Sequence, residues 1–216
     1  MSSIRFSLNM SIDSNCCLIF YSIVVTIVAG LYVLLDVNYF LRILFTLGWS
    51  ALFEKRKKLS DGTQIYGICT SQDMDIFFKH MNNARYVREL DFARFHFYYI
   101  TGMYAEIKKN KGHVLQTASN IRYRRTIPWF NTYKVTTKIV YWDEKTMYIE
   151  QQFVTLHDGF IRAVVLSKQT TIGLNVPEMM AKLTGCDVSH RPQMPEELQD
   201  WLSSMEKSSN RLRKKD

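Results

Sequence analysis

The sequence predicts an α+β fold in which one long helix lies across an antiparallel sheet, preceded by a separate apolar helix at the N-terminus. Three observations carry this prediction. An uncharged run of 20 residues comes first, a long segment with apolar residues at helical spacing follows a single short strand, and four stretches with strand-like alternation come after that helix. One strand, one helix and then a run of strands is an order typical of an α+β domain.

The N-terminal part predicts a transmembrane or signal-anchor helix. Residues 1–15 are polar, carry only Arg5 and Asp13 as charges, and predict a flexible N-terminus. Residues 16–35 contain no charged side chain, and at about 1.5 Å per residue they cross a hydrocarbon core of about 30 Å. A cleaved secretory signal peptide is the alternative, because Val28-Ala29-Gly30 offers small residues at a possible cleavage point. We favour an uncleaved anchor, since cleavage would leave an apolar new end.

The basic residues around this helix predict which side of the membrane the rest of the chain occupies. Arg5 precedes the apolar run, whereas Arg42 and the basic run 55–58 follow it, so the positive-inside rule places the C-terminal domain in the cytosol. We therefore expect a protein of the endomembrane system, at the endoplasmic reticulum membrane with a cytosolic domain. Secretion after signal-peptide cleavage is the alternative.

Residues 36–59 predict an amphipathic linker helix followed by the basic run. Asn38, Arg42, Thr46 and Ser50 recur every four positions in otherwise apolar company, which gives a helix with a narrow polar stripe and a wide apolar face. Such a helix suits the headgroup region of a membrane or packing against the domain. The sequence leaves both open.

Residues 60–185 predict the folded domain, and residues 186–216 a C-terminal helix and basic tail. The central helix ends near Gly102, and its apolar positions include Tyr86, Val87, Leu90, Ala93, Phe97 and Ile100. Asp158-Gly159 is a strong hairpin-turn signal between the last two strands. The strands are expected over 64–70, 113–127, 133–141, 147–156 and 159–172. The C-terminal helix is expected from Glu196 to Met205.

The net charge of +8 does not predict a nucleic-acid partner. Nine of the 28 basic residues lie in two short runs, residues 55–58 and the tail residues Lys207, Arg211, Arg213, Lys214 and Lys215. The remaining 19 face 20 acids, so the rest of the chain is nearly neutral. Anionic membrane surface is the partner that such runs favour. The five histidines have no paired ligand spacing, so we expect no metal and no bound cofactor.

Polar groups cluster where the long helix is predicted to start. Asp73, Asp75 and His80 come just before Asn82 and Asn83, either of which can cap the helix. The first N–H groups, backed by the helix dipole, suit a carbonyl oxygen that gains negative charge. A carboxylate delivered by the preceding loop can act on that carbonyl as base or nucleophile. The alternative is a well-capped helix with solvated carboxylates nearby.

The order of these residues resembles a family signature. Asp-x(6)-His-Met-Asn-Asn-Ala-Arg-Tyr, with Asp91 eleven residues after the histidine, is similar to that of the 4-hydroxybenzoyl-CoA thioesterase-type hotdog family. The resemblance covers about residues 60 to 185 and extends through Arg122-Tyr-Arg-Arg125, Tyr141-Trp-Asp143 and His157-Asp-Gly-Phe160. It implies the hotdog fold, in which a long central helix is wrapped by an antiparallel sheet. It also implies a homodimer with sites at the interface, and hydrolysis of acyl-CoA or related acyl thioesters.

The resemblance implies a role for each site residue. Asp73, seven residues before His80, would activate water or attack the thioester directly, and Asp75 is the second choice. The backbone N–H groups near Asn83 would bind the carbonyl oxygen. His80, Asn82 and Asp91 would orient these parts. The phosphates of coenzyme A would meet Arg122, Arg124 and Arg125, although three arginines on one strand also fit a solvated face.

One departure from the family supports a rival prediction. Family members with well-defined activity usually carry Gly or Asn between the aspartate and the histidine, whereas this chain has Ile76-Phe77-Phe78-Lys79. Bulky rings then stand where substrate would approach. The rival function is a catalytically inactive hotdog module that binds acyl ligands or protein partners at a membrane.

Overall fold

The computed structural model describes residues 2–213, with side chains from residue 15 onward. The chain divides into two units, the first ending at Phe45 and the second beginning at Thr46. Helix α1 (Ser2–Leu34) and the first part of α2 (Val37–Phe53) form the first unit. Within α1, Asn15–Leu34 has a mean hydropathy of 2.5 and no buried residue. It is long and apolar enough to cross a bilayer, a character that signal sequences share.

The start of α1 differs from the expectation that residues 1–15 are flexible. The helix already begins at Ser2. Residues 2–15 contain neither Pro nor Gly, and adding residues to an existing helix is easy whereas starting one is costly. The apolar segment therefore extends its helix toward the N-terminus through polar sequence.

The second unit contains a five-stranded antiparallel sheet with strand order β1-β3-β4-β5-β2. The edges are β1 and β2, and β4 lies at the centre. The bounds are β1 Thr63–Ile68, β2 His113–Tyr123, β3 Thr132–Trp142, β4 Thr146–Thr155 and β5 Ile161–Ile172. Each predicted strand is present, with ends shifted by the turns that bound it.

Helix α3 (Asn83–Ile100) lies across this sheet and contributes seven buried apolar side chains to the core. Tyr86 packs edge-on against Phe153 of β4, with ring centroids 4.9 Å apart, and both rings are buried. This long helix against the antiparallel sheet is the predicted hotdog arrangement, and it is confirmed. The buried face also includes Leu90, Ala93, Phe97 and Ile100.

Two features of α3 differ from the predicted pattern. Val87 is 40% exposed, whereas Glu89, Phe92 and His96 are buried. The sheet and the segment after α2 enclose more than one side of the helix, so polar residues at the edge of the apolar stripe are covered as well. Periodicity alone does not predict that wider enclosure.

A bulge changes the faces of β2. The pairing with β5 shifts between Gln116 and Ala118, so Leu115, opposite Thr170, lies on the other face from Ser119, opposite Ser167. A strict two-residue alternation along 113–127 would have placed Leu115 and Ser119 on one face. The strand also ends at Tyr123 rather than at 127.

Three helices complete the second unit. Helix α4 (Met103–Lys109) was not predicted and is separated from α3 by Gly102, whose φ of 81° suits glycine. Helix α5 spans Val176–Thr184. Helix α6 spans Glu196–Arg213, so most of the predicted basic tail is helical, while Lys214 and Lys215 lie outside the described residues.

Candidate active site

The segment before α3 forms a short antiparallel ladder. The Asn82 N–H donates to the Asp73 carbonyl at 2.7 Å, the Asp75 N–H donates to the His80 carbonyl at 2.9 Å, and Met74 pairs with Met81 between them. Side chains alternate along such a ladder, so the buried Met74 and Met81 anchor one side. Asp73, Asp75, His80 and Asn82 belong to the other. The structure therefore brings four of the predicted site residues together.

Asp73 is held by its own turn. Its Oδ2 accepts hydrogen bonds from the Thr70 N–H at 2.9 Å and the Thr70 hydroxyl at 2.8 Å, which completes a capping box. The residue is only 7% exposed. Asp73 therefore stabilises the bend between β1 and the ladder.

Asp75 is the more accessible carboxylate. Its Oδ1 accepts from the Lys79 N–H at 2.9 Å and the His80 N–H at 3.3 Å, and its Oδ2 lies 4.0 Å from the His80 Nε2. Desolvation raises the pKa of Asp75, but the N–H bonds from Lys79 and His80 and the nearby His80 ring lower it further, so the net shift is downward. Asp75 is therefore ionised at neutral pH and has one oxygen turned toward a histidine.

His80 has a geometry that favours one tautomer. Its Nδ1 lies 3.1 Å from the Met81 carbonyl, which accepts a hydrogen bond only if Nδ1 carries the proton. In the neutral ring this leaves Nε2 unprotonated on the side of Asp75. His80 also pairs through its backbone with Pro128, so its position is fixed from two sides.

The start of α3 presents one unused backbone donor. Asn82 is the N-cap, and its Oδ1 accepts from the Ala84 N–H at 2.9 Å. The Arg85 N–H donates to the Asn82 carbonyl at 2.9 Å. Among the residues that the structure describes, none accepts a hydrogen bond from the Asn83 N–H. The Asn83 carbonyl, in contrast, accepts from the Tyr123 hydroxyl at 3.2 Å, which ties the end of β2 to this helix start.

Asp91 is not brought to the helix start. It lies on α3 about 12 Å along the axis from Asn83 and forms an ion pair with Arg94. Its position suits helix stabilisation better than the orientation of groups around Asn83.

Glu89 is a buried acid that the sequence analysis did not single out. Glu89 of α3 is 2% exposed and accepts a hydrogen bond from the Tyr133 hydroxyl at 2.8 Å. Burial, together with the nearby Asp73 and Glu89 carboxylates, raises the pKa of the Cys69 thiol to about 11. The sequence did contain a signal for this residue. Glu89 follows Tyr86 by about one helical turn, which places both on the buried face of α3.

The apolar residues of the ladder tip, Ile76, Phe77 and Phe78, do not fill the interior. Ile76, Phe77 and Phe78 are 84%, 74% and 66% exposed. Phe78 has a positive φ of 52°, an uncommon conformation for a bulky residue. The rings therefore project away from the core and leave the helix start uncovered.

The three predicted phosphate-binding arginines separate into two groups. Arg122 pairs with Val164 of β5 and so lies on the sheet face opposite to Tyr123. The guanidinium groups of Arg124 and Arg125 both lie over the ring of Phe160, at 4.8 and 4.4 Å from its centroid. Arg124 and Arg125 thus form an exposed cationic pair just beyond the strand whose Tyr123 contacts the helix start.

These residues neither form a metal site nor line the cavity that is formed in part by Trp142. Among residues 15–213, whose side chains the structure describes, no group of three His, Cys, Asp or Glu is placed to hold a metal ion. A cavity of about 560 Å³ is lined instead by residues that include Trp142, Leu183, Cys186 and His190. Trp142 packs in one cluster with Phe97 and Tyr98 from the second half of α3, so this cavity lies away from the helix start.

Solved structures with the same architecture include a probable thioesterase. The chain resembles YbaW, a probable thioesterase from Escherichia coli, with a TM-score of 0.52 and 19% identity over 56% of this chain and 94% of that one. A Staphylococcus aureus protein solved in complex with CoA gives a TM-score of 0.52 and 17% identity over 67% and 96%. At these identities the likeness defines a hotdog fold of the thioesterase type.

The sequence comparisons define the family. The model of the Thioesterase-like superfamily matches residues 69–202. Protein THEM6 of Drosophila melanogaster is 55% identical over 184 residues, which cover 85% of this chain and 94% of that protein. Protein THEM6 of Danio rerio is 40% identical over 187 residues, covering 82% and 87%. The chain belongs to the THEM6 family within the thioesterase-like superfamily.

Proposed function

We propose that this protein is a membrane-associated hydrolase of acyl-CoA or related acyl thioesters. The observation that carries the proposal is the short ladder that leads into α3. An ionised Asp75 beside His80 and an unused Asn83 N–H lie at the two ends of a segment of nine residues. Base and oxyanion donor are the two parts that thioester hydrolysis needs.

The reaction assigns one step to each group. The Asp75 carboxylate takes a proton from water while the water oxygen bonds to the thioester carbonyl carbon. The carbonyl oxygen becomes an oxyanion and accepts a hydrogen bond from the Asn83 N–H. Collapse of this intermediate breaks the carbon–sulfur bond, and the leaving thiolate takes the proton held by Asp75, which gives the acid and the thiol and restores the Asp75 carboxylate. The His80 backbone N–H orients Asp75, and Asn82 holds the helix start in place.

Asp75 takes the role for which Asp73 was the first choice. The Asp73 Oδ2 accepts two hydrogen bonds from Thr70. Turning that carboxylate toward a substrate would therefore break the hydrogen bonds that hold the turn. The Asp75 Oδ2 lies 4.0 Å from the His80 Nε2, and the hydrogen bonds from the Lys79 and His80 N–H groups go to the Asp75 Oδ1. Direct attack by Asp75 on the carbonyl carbon remains the alternative to water activation.

A homodimer paired along β2 would complete the site. The edge strand β2 is 11 residues long and exposed along most of its length, which makes it a template for a second strand. Its last residue, Tyr123, contacts Asn83 at the helix start. A second copy paired there would lie beside the helix start and form one side of the substrate site. Arg124 and Arg125 would then be placed to bind the phosphates of coenzyme A, the ligand in the Staphylococcus aureus structure.

A second candidate function is the inactive module that binds acyl ligands or partners at a membrane. Exposed Phe77 and Phe78 favour it, because they replace the small residues of active family members. A panel of acyl-CoA thioesters, assayed by detection of the free thiol with purified full-length protein, separates the two. We expect turnover of at least one thioester; acyl binding without any turnover would select the inactive module.

The membrane part of the proposal places the second unit in the cytosol at the endoplasmic reticulum. Its support is the apolar helix Asn15–Leu34 together with the basic run 55–58 on its C-terminal side. Sequencing the N-terminus of the mature protein tests it directly. An intact N-terminus is the expected result, and a start beyond residue 30 would indicate secretion.

A further inference from the structure

The end of α2 is an amphipathic helix that exposes its apolar side chains and buries a polar one. Ser50 is 1% exposed, whereas Trp49, Leu52 and Phe53 are 51%, 77% and 65% exposed. The Ser50 hydroxyl lies 2.8 Å from the Thr46 carbonyl and 3.1 Å from the Glu54 Oε1. A helix on a water-soluble domain normally buries its apolar side. Here Ser50, the last residue of the polar stripe, is on the protein side.

Contacts after Ser50 fix this orientation. The Glu54 carboxylate oxygens lie 3.0 and 3.1 Å from the Nε2 of the buried His96. The Arg56 guanidinium donates to the Tyr99 carbonyl at 2.8 Å and lies 5.6 Å from the Tyr99 ring centroid. The Lys57 N–H donates to the Ile100 carbonyl at 3.3 Å. These bonds hold the end of α2 to the last turn of α3, so its apolar side cannot rotate inward without breaking them.

The part of α2 in the first unit has the same character. Phe40 and Leu41 are 57% and 54% exposed, and Leu44 and Phe45 are each 67% exposed. Positions 41, 45, 49 and 52 are spaced by three or four residues, which places them on one side of a helix. Exposed apolar side chains therefore occur both in the part of α2 that belongs to the first unit and in the part that belongs to the second.

The connection to α1 and the nearby basic residues indicate that a membrane covers the apolar side of α2. Only two residues separate Leu34, where α1 ends, from Val37, where α2 begins. The span Asn15–Leu34 thus keeps the start of α2 within reach of a bilayer surface. The exposed basic run 55–58 follows directly and suits anionic headgroups. In a pair of copies, the same run would bring like charges together.

We infer that α2 is an interfacial membrane helix. Trp49, Leu52 and Phe53 lie at the boundary between headgroups and acyl chains of an anionic bilayer, and Ser50 and Glu54 hold the folded domain to the other side of the helix. Trp49 and Phe53, with ring centroids 4.5 Å apart, supply the aromatic character that this depth favours. The inference rests on the proposed membrane association and is independent of hydrolysis.

The test is a depth measurement on the full-length chain. Leu52→Cys is made in a background without the native cysteines, labelled with a nitroxide, and reconstituted into vesicles of phosphatidylcholine and phosphatidylserine. Leu156→Cys is the matched control, because Leu156 is 46% exposed and follows β4 near the opposite end of α3. We expect the ratio of oxygen to nickel-chelate accessibility to be severalfold higher at position 52 than at position 156.

Two results would overturn the inference. Equal access of the nickel chelate to both labels would place α2 in water, and strong dipolar broadening between labels at position 52 would show that a second copy covers the helix. Acyl-CoA hydrolysis is measured on the same vesicles. Retained hydrolysis with a water-exposed label contradicts this inference alone, whereas a buried label without hydrolysis contradicts only the enzymatic proposal.

Discussion

At the scale of single residues, side-chain accessibility decides which chemistry is open to each group. Asp73 and Asp75 are separated by one residue, yet one carboxylate closes a capping box and the other faces His80. The sequence predicted that both acids lie ahead of the helix. It could not predict which acid closes the turn and which faces His80, because that depends on the backbone pairing of residues 73–75 with 80–82.

Cysteine reactivity follows from the same reasoning. We expect iodoacetamide at pH 8 to alkylate the exposed Cys186 and to spare the buried Cys69. With a pKa of about 11, Cys69 is about 0.1% thiolate at that pH. Peptide mass spectrometry before and after denaturation provides the measurement. Equal labelling of the two thiols in the native protein would contradict the buried position of Cys69.

Gly67 tests the packing beneath the site. A Cβ at this position would lie 2.6 Å from Cζ of the Tyr133 ring, and Tyr133 is fully buried and bonded to Glu89. We expect Gly67→Ala to lower the free energy of unfolding by about 1–3 kcal/mol. Gly159→Ala is an informative comparison, because no neighbour crowds a Cβ there and its cost comes only from a φ of 64°. Thermal denaturation of both variants checks the expectation.

At the scale of elements, local pattern predicted most of the fold. Apolar periodicity located α3, and alternation with the Asp-Gly signal located β4 and β5. Helix α4 was missed because its few residues follow α3 without a break in composition. The bulge in β2 was missed because nothing local in Gln116–Ala118 requires an extra residue. The inverted face of α2 could not be predicted, since periodicity gives the stripe but not the side that is covered.

The β4–β5 turn gives a pH-dependent prediction. The Thr155 hydroxyl at 2.5 Å, the Phe160 N–H at 3.0 Å and the Arg162 guanidinium at 2.6 Å all donate to Asp158. These bonds lower the pKa of Asp158 below its ordinary value of 3.8. The stabilisation is therefore present above that value and is lost as the pH falls through the lower, folded-state pKa.

Asp158→Asn should accordingly melt at a lower temperature than the unsubstituted chain at neutral pH. The difference in Tm should shrink as the pH is lowered below about 4, because the native carboxylate is then protonated too. Melting curves across this range provide the measurement. A difference that stays constant down to acid pH would mean that the ionised form of Asp158 is not what stabilises the turn.

At the scale of the whole molecule, the sheet edge and the helix start meet through Tyr123 and Asn83. A two-fold pair of β2 strands has one position that lies opposite itself, with Cβ atoms about 4.5–5.5 Å apart. Single cysteines scanned over all positions of β2, His113–Tyr123, in a background without native cysteines, should give an oxidised dimer at one of them. Absence of cross-linking at every position would contradict dimerisation along β2.

The most direct test of the catalytic proposal compares two acids that lie two residues apart. Hydrolysis of an acyl-CoA is measured for Asp75→Asn and Asp73→Asn, with melting temperatures recorded for both. Asp75→Asn should lower kcat/KM by at least about 10²-fold with little change in Tm. Asp73→Asn should keep most of the activity, because a single amide oxygen can still accept both Thr70 hydrogen bonds. Unchanged turnover in Asp75→Asn would contradict the assignment of Asp75 as the reacting carboxylate.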